Sequence, residues 1–194
     1  NAPKTLSNKT IEVPSCYSWL KFPGSPRITR SVLVLVDETT VVPQVIRDHA
    51  ESALAGMLRP GTYVVLMRFS TFSQQRYATV MLRGAVESSP DPVDPEKWTG
   101  SIKELNNLKS NVAKLNACLS KQAAFLKQNA NFALTAVFDQ ASSEIQQSEI
   151  LGALHSAATI LKDRPEKEKA IVMISDMLEH SNFTSFYKKI GRAH

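Results

Sequence analysis

An unbroken apolar run, Val32 to Val36, leads straight into Asp37, Glu38, Thr39 and Thr40. A β-branched and leucine run of this kind predicts a strand buried on both faces, as in the middle of a parallel sheet with helices on either side. The pattern returns near the other end as Ile171, Val172, Met173 and Ile174, followed by Ser175 and Asp176. Between the two, Ile46, Ala50, Ala53 and Met57 recur at helical spacing behind Pro43, and predict a helix with one buried stripe. Residues 63–69 and 76–86 predict two further strands, joined by a polar turn at 70–75 short enough to pair them antiparallel.

A linker with three prolines, residues 88–95, interrupts this order. Behind it, residues from Glu96 to about Gln128 predict a long helix, with Ile102, Leu105, Leu108, Val112, Leu115, Leu119 and Leu126 as a near-heptad seam. That seam fits packing on the domain, or contact with a partner. A second helix is predicted over 131–143, with Phe132, Val137 and Phe138 inward. A third is predicted to start at a Ser148 cap, with Glu149 in its first turn, and to run to Lys162. Its inward residues are Ile150, Leu151, Leu154 and Leu161. A short helix is expected around 183–190. The order β-α-β-β-α-α-α-β-α predicts a three-layer, Rossmann-like α/β sheet flanked by helices, with a long helical insertion at about 96–128. Residues 1–30, rich in proline, form an irregular lead-in with a short strand near 10–13, and residues 31–194 form the domain.

Length and composition narrow the class. A chain of 194 residues is enough for one α/β domain with a full core, or for a domain plus an appendage. No apolar run reaches the ~20 residues that span a bilayer, so no membrane span is expected. The net charge is +5, but the basic residues are dispersed, which argues against a nucleic-acid footprint. Two cysteines, Cys16 and Cys118, allow either a bridge in an oxidising compartment or two buried thiols. A first residue that is not methionine, together with that cysteine usage, favours a periplasmic or exported protein over a cytoplasmic one.

Candidate chemistry gathers at strand ends. If the first strand lies beside the last, Asp37 and Asp176 stand at the rim of one crevice, and Ser148 faces it from a helix start. Carboxylates and hydroxyls form a hard-oxygen set, suited to magnesium or manganese. His49 and His155 lie on helices, the first solvated and the second packed, and His180 stands next to Glu179 near the crevice. Neither a phosphate-cradling glycine loop nor a nucleophile elbow is present.

These residues resemble the von Willebrand factor type A domain, and in particular a bacterial type with a degenerate metal-ion-dependent adhesion site. Asp37 and Thr39 match the opening Asp-x-Ser-x-Ser motif, with Val41 in place of the last hydroxyl. The segment from Ser148 to Leu154 resembles the one that begins with the family's threonine, and Ile174-Ser175-Asp176 resembles its last acidic strand end. The resemblance implies a non-enzymatic protein-interaction module. Its weak Mg2+ or Mn2+ site would be formed by Asp37, Thr39, Ser148 and Asp176, and a protein partner would supply an acidic residue to the ion. Residues 37–41 also resemble the nucleophile loop of magnesium-dependent haloacid-dehalogenase-like phosphotransferases. That alternative makes Asp37 the nucleophile, with Asp176 and Glu179 holding the metal.

Overall fold

The computed structural model describes residues 10–73, 76–92, 94–142 and 148–178. The unbroken apolar run is strand β2 (Arg30–Asp37), and its period of two sorts its side chains onto opposite faces. Val32, Val34 and Val36 enter one hydrophobic cluster, while Leu33 and Leu35 enter another. Strand β3 (Thr62–Ser73) divides in the same way, with Val64 and Leu66 on one side and Val65, Met67 and Phe69 on the other.

Helices cover both faces. The first cluster is closed by helix α2 (Gln44–Met57), through Leu54, and by helix α3 (Ile102–Gln140), through Leu126, Leu134, Val137 and Phe138. The second is closed by helix α4 (Ile150–Lys162), through Ile150, Ala153, Ala157 and Leu161. The protein is therefore α/β, with a mostly parallel sheet between helices.

Among the described residues the sheet has five strands, in the order β1-β4-β3-β2-β5. They include β1 (Ile11–Glu12), β4 (Arg76–Val86) and β5 (Glu168–Ile174). β2 pairs in parallel with β3 on one side and with β5 on the other, and β4 runs antiparallel to β3 as its short connection demands. The first and last long strands are thus neighbours, as expected. The middle position belongs to β3, because β4 and β1 extend the sheet on its far side.

Two expectations for the helices change. The predicted break between 128 and 131 is absent, and α3 runs unbroken for 39 residues from a capping box made by Ser101 and Glu104. Asn129 stays within the helix, and its side chain donates back to the Phe125 carbonyl at 2.7 Å. The long helix is also not simply an outer insertion. Its carboxyl-terminal third is a core layer, while Ile102 at its start is 79 % exposed.

The lead-in is built into the domain by three devices. β1 extends the sheet on β4, where Gly84 is required because a Cβ there would lie 2.4 Å from Val13. Helix α1 (Cys16–Trp19) is disulfide-bonded to α3 through Cys16 and Cys118. Buried Glu87 accepts from the Cys16 amide at 2.9 Å and donates through its own amide to Gln122, whose side chain donates to the Pro14 carbonyl.

At the amino ends of β2 and β5, buried Glu166 accepts from the Ser31 hydroxyl at 2.7 Å and from the Arg164 guanidinium at 2.6 Å. That guanidinium lies 3.7 Å over the Tyr63 ring. Burial raises the Glu166 pKa, but the bonds from Arg164 and Ser31 outweigh it and hold the carboxyl below its ordinary value of 4.5. A depressed carboxylate pKa adds stability that is fully present above the unfolded value and is lost as pH falls through the folded one. Native protein should therefore lose its stability margin over Glu166→Gln once the pH drops below that ordinary value. Denaturation midpoints of the two proteins that stay parallel through this range would rule the linkage out.

Candidate functional site

The carboxyl ends of β2 and β5 meet the approach to α4 around one fully buried carboxylate. Asp37 closes β2, and both its oxygens are engaged. Oδ1 accepts from the Thr39 amide at 2.8 Å and from the Thr39 hydroxyl at 2.6 Å, which folds the chain into a tight turn after the strand. Oδ2 accepts from the hydroxyls of Ser148, at 3.0 Å, and Ser175, at 2.8 Å. One carboxylate therefore ties together three segments that are more than a hundred residues apart at the extremes.

Of the predicted set, Asp37, Thr39 and Ser148 come together directly. Asp176 stands one residue beyond Ser175 and is exposed, with its Oδ1 accepting from the Leu178 amide at 2.9 Å. Its own amide makes a long contact of 3.5 Å with the Thr40 hydroxyl. Met177 adopts a left-handed φ of 61°, and its amide donates to Ser175 Oγ at 3.0 Å. A residue of this shape in that conformation is strained, and two side-chain oxygens on the same turn hold it there.

Ser175 is the site residue that sequence reasoning missed. The signal was the parallel register, in which Val36 faces Ile174, so that the next pair is Asp37 and Ser175. Ser148 does not cap α4 as expected, because its hydroxyl is committed to Asp37. The cap position falls to Glu149, which makes no side-chain cap bond. Beside the site, Glu38 is paired with Arg68 at 2.7 Å, so its charge is neutralised locally. Val41 is 58 % exposed on the same loop.

His49 is exposed on α2, in line with expectation, whereas His155 is exposed on α4 and not packed. Positions 150, 153, 157 and 161 of α4 turn toward the sheet, while Leu151, expected to face inward, is exposed. Glu179, His180 and the helix expected near 183–190 lie outside the described residues.

The donor set bears on metal chemistry in a specific way. A hydroxyl that gives its proton to Asp37 keeps lone pairs to offer a cation. Thr39, Ser148 and Ser175 are all in that state, so a single carboxylate orients three hard-oxygen donors. These hydroxyl and carboxylate oxygens are harder donors than the imidazole and thiolate groups that favour transition metals; among the described residues there is no cluster of three or more His, Cys, Asp or Glu side chains. A magnesium-like ion, which keeps several waters, needs fewer protein ligands and fits this set better.

No family model, curated protein or solved structure matches the chain. Among the described residues no helix is long and apolar enough to cross a membrane.

Proposed function

We propose that the chain is a protein-binding module of von Willebrand factor type A kind, working through a weak divalent-metal site above Asp37. The observation that carries this reading is the convergence of Thr39, Ser148 and Ser175 hydroxyls on one buried carboxylate at the ends of adjacent parallel strands. Open α/β sheets bind ligands at this edge. Mg2+ or Mn2+ would lie against the three hydroxyls, with Asp176 approaching through water. A coordination position left to water would accept an acidic side chain from a partner protein. The Cys16–Cys118 bond supports an oxidising compartment for that encounter, periplasmic or exported.

The phosphotransferase alternative has less support. A nucleophilic carboxylate needs an open oxygen facing the substrate, whereas Asp37 is fully buried and each of its oxygens takes two hydrogen bonds.

Val41 occupies the position where the resembling motif has its last hydroxyl. Val41→Ser should strengthen magnesium binding about tenfold, the effect of one added hard ligand worth roughly 1.4 kcal/mol. Titration calorimetry of native protein and Val41→Ser tests this directly. Absence of magnesium and manganese binding in both proteins would refute the metal site. Capture of a partner that is unaffected by chelator would refute its role in binding.

A further inference from the structure

A second surface lies away from Asp37, where the lead-in crosses α3. Val13, Pro14, Cys16 and Trp19 form one wall of an apolar groove of about 540 Å3, and Ala117, Cys118 and Phe125 form the other. Trp19 is 73 % exposed and Phe125 44 % exposed, and the Cys16–Cys118 bond closes the groove between them. Buried aromatic anchors dominate binding surfaces, and large aromatics left open beside a groove are a common mark of one.

The groove ends at Phe125, and beyond it the sequence of α3 keeps a register that suits a second helix. Cys118, Phe125 and Phe132 fall at successive intervals of seven, and Phe132 is 48 % exposed. Lys114 and Lys121 repeat at the same interval along one margin. A seven-residue repeat returns to the same face of a helix every two turns, so a helix laid alongside meets the same chemistry twice. Ala117 and Ala124, exposed and small, allow close approach of its backbone. This face is distinct from the seam at Leu115, Leu119 and Leu126, which is buried in the domain.

Charge selects the occupant. The groove lining includes two lysines and no acid, and among the described residues neither lysine takes part in an ion pair. Along α3 the five lysines, 103, 109, 114, 121 and 127, exceed the two acids, Glu104 and Asp139. A second copy of this face would bring like charge against like. A bilayer is flat, whereas the apolar lining here is a groove between the lead-in and α3.

We propose that this groove docks an amphipathic helix from a partner protein, with apolar residues at heptad spacing and acidic residues along the flank that meets Lys114 and Lys121. The contact needs no metal and is independent of the Asp37 site, so each can fail without the other.

The test uses the oxidised chain in a Trp98→Phe background, where Trp19 is the sole tryptophan and its emission reports on the groove. Two synthetic amphipathic helical peptides are titrated, with the same leucine face but flanked by glutamate or by lysine. Phosphatidylglycerol–phosphatidylcholine vesicles form a third arm. The expected result is a blue shift and saturable binding with the glutamate-flanked peptide only, unchanged by chelator. Lys114→Glu with Lys121→Glu should weaken binding about tenfold or more, and Phe125→Ala should weaken it with the same peptide selectivity retained. Circular dichroism would establish that each variant is folded. Equal binding of both peptides, no binding of either, or a lysine-dependent response to vesicles without peptide binding would each overturn the proposal.

Discussion

Loss of the Cys16–Cys118 bond should lower the free energy of unfolding by about 4 kcal/mol. The two residues are separated by 102 positions, so the bridge closes a loop that contains β2, α2, β3 and β4. In the chain-entropy account, a loop of about a hundred residues removes 4–5 kcal/mol of freedom from the unfolded ensemble. The native contacts around the bridge are modest by comparison. Cys16, Tyr17, Leu115 and Leu119 make a small satellite cluster, and β1 pairs through only two residues. The Glu87–Gln122 anchor can hold the lead-in only while Cys16 stays near α3. Reduction, or the double change Cys16→Ser and Cys118→Ser, should therefore destabilise the whole domain and loosen residues before β2 first. Denaturant titrations with and without reductant measure the first effect. Trypsin cleavage at Lys21 and Arg27 should accelerate in the same samples. A denaturation midpoint that does not move on reduction would show that the lead-in and α3 hold together without the bridge.

The layers of the fold were legible where the chain has little choice. A run such as Val32 to Val36 can be buried on both sides only if helices cover both faces, and the two clusters divide it by parity. The neighbouring positions of β2 and β5 followed from chirality of the crossovers. The extent of α3 was not legible, since Asn129 and Asn131 read as a break on propensity alone. Packing of Leu126, Ala130, Ala133, Leu134 and Val137 on the sheet overrides that local preference. The same conflict explains Ser148, where a good cap residue is drawn off by a buried carboxylate that needs its hydroxyl. Of the site, Asp37 and Thr39 could be read from their own strand. Ser175 could not, because its role depends on the register between two strands that are distant in sequence.

Substitution of Asp37 separates its structural role from its proposed role in binding. Asp37→Ala removes the acceptor for three hydroxyls and one amide, and Ser148 is itself buried. A buried polar group left without a partner costs about 1–3 kcal/mol, and the hydroxyls nearer the surface can turn to water, so a loss of roughly 3 kcal/mol is expected. Asp37→Asn should cost only about 1 kcal/mol. The amide oxygen can take the place of Oδ1, where the Thr39 amide must have an acceptor. The amide nitrogen then faces Ser148 and Ser175, whose hydroxyls can rotate and accept from it. That rotation points hydroxyl protons outward, and the negative charge is gone, so a cation loses both its countercharge and its ligands. Asp37→Asn should therefore keep the fold and abolish magnesium binding. Asp37→Ala should lose both the binding and part of the stability. Denaturation and calorimetry on the two variants and native protein give the comparison. Native-like stability in Asp37→Ala would mean that this carboxylate does not hold the three segments together. Native-like magnesium binding in Asp37→Asn would place any metal site elsewhere on the chain.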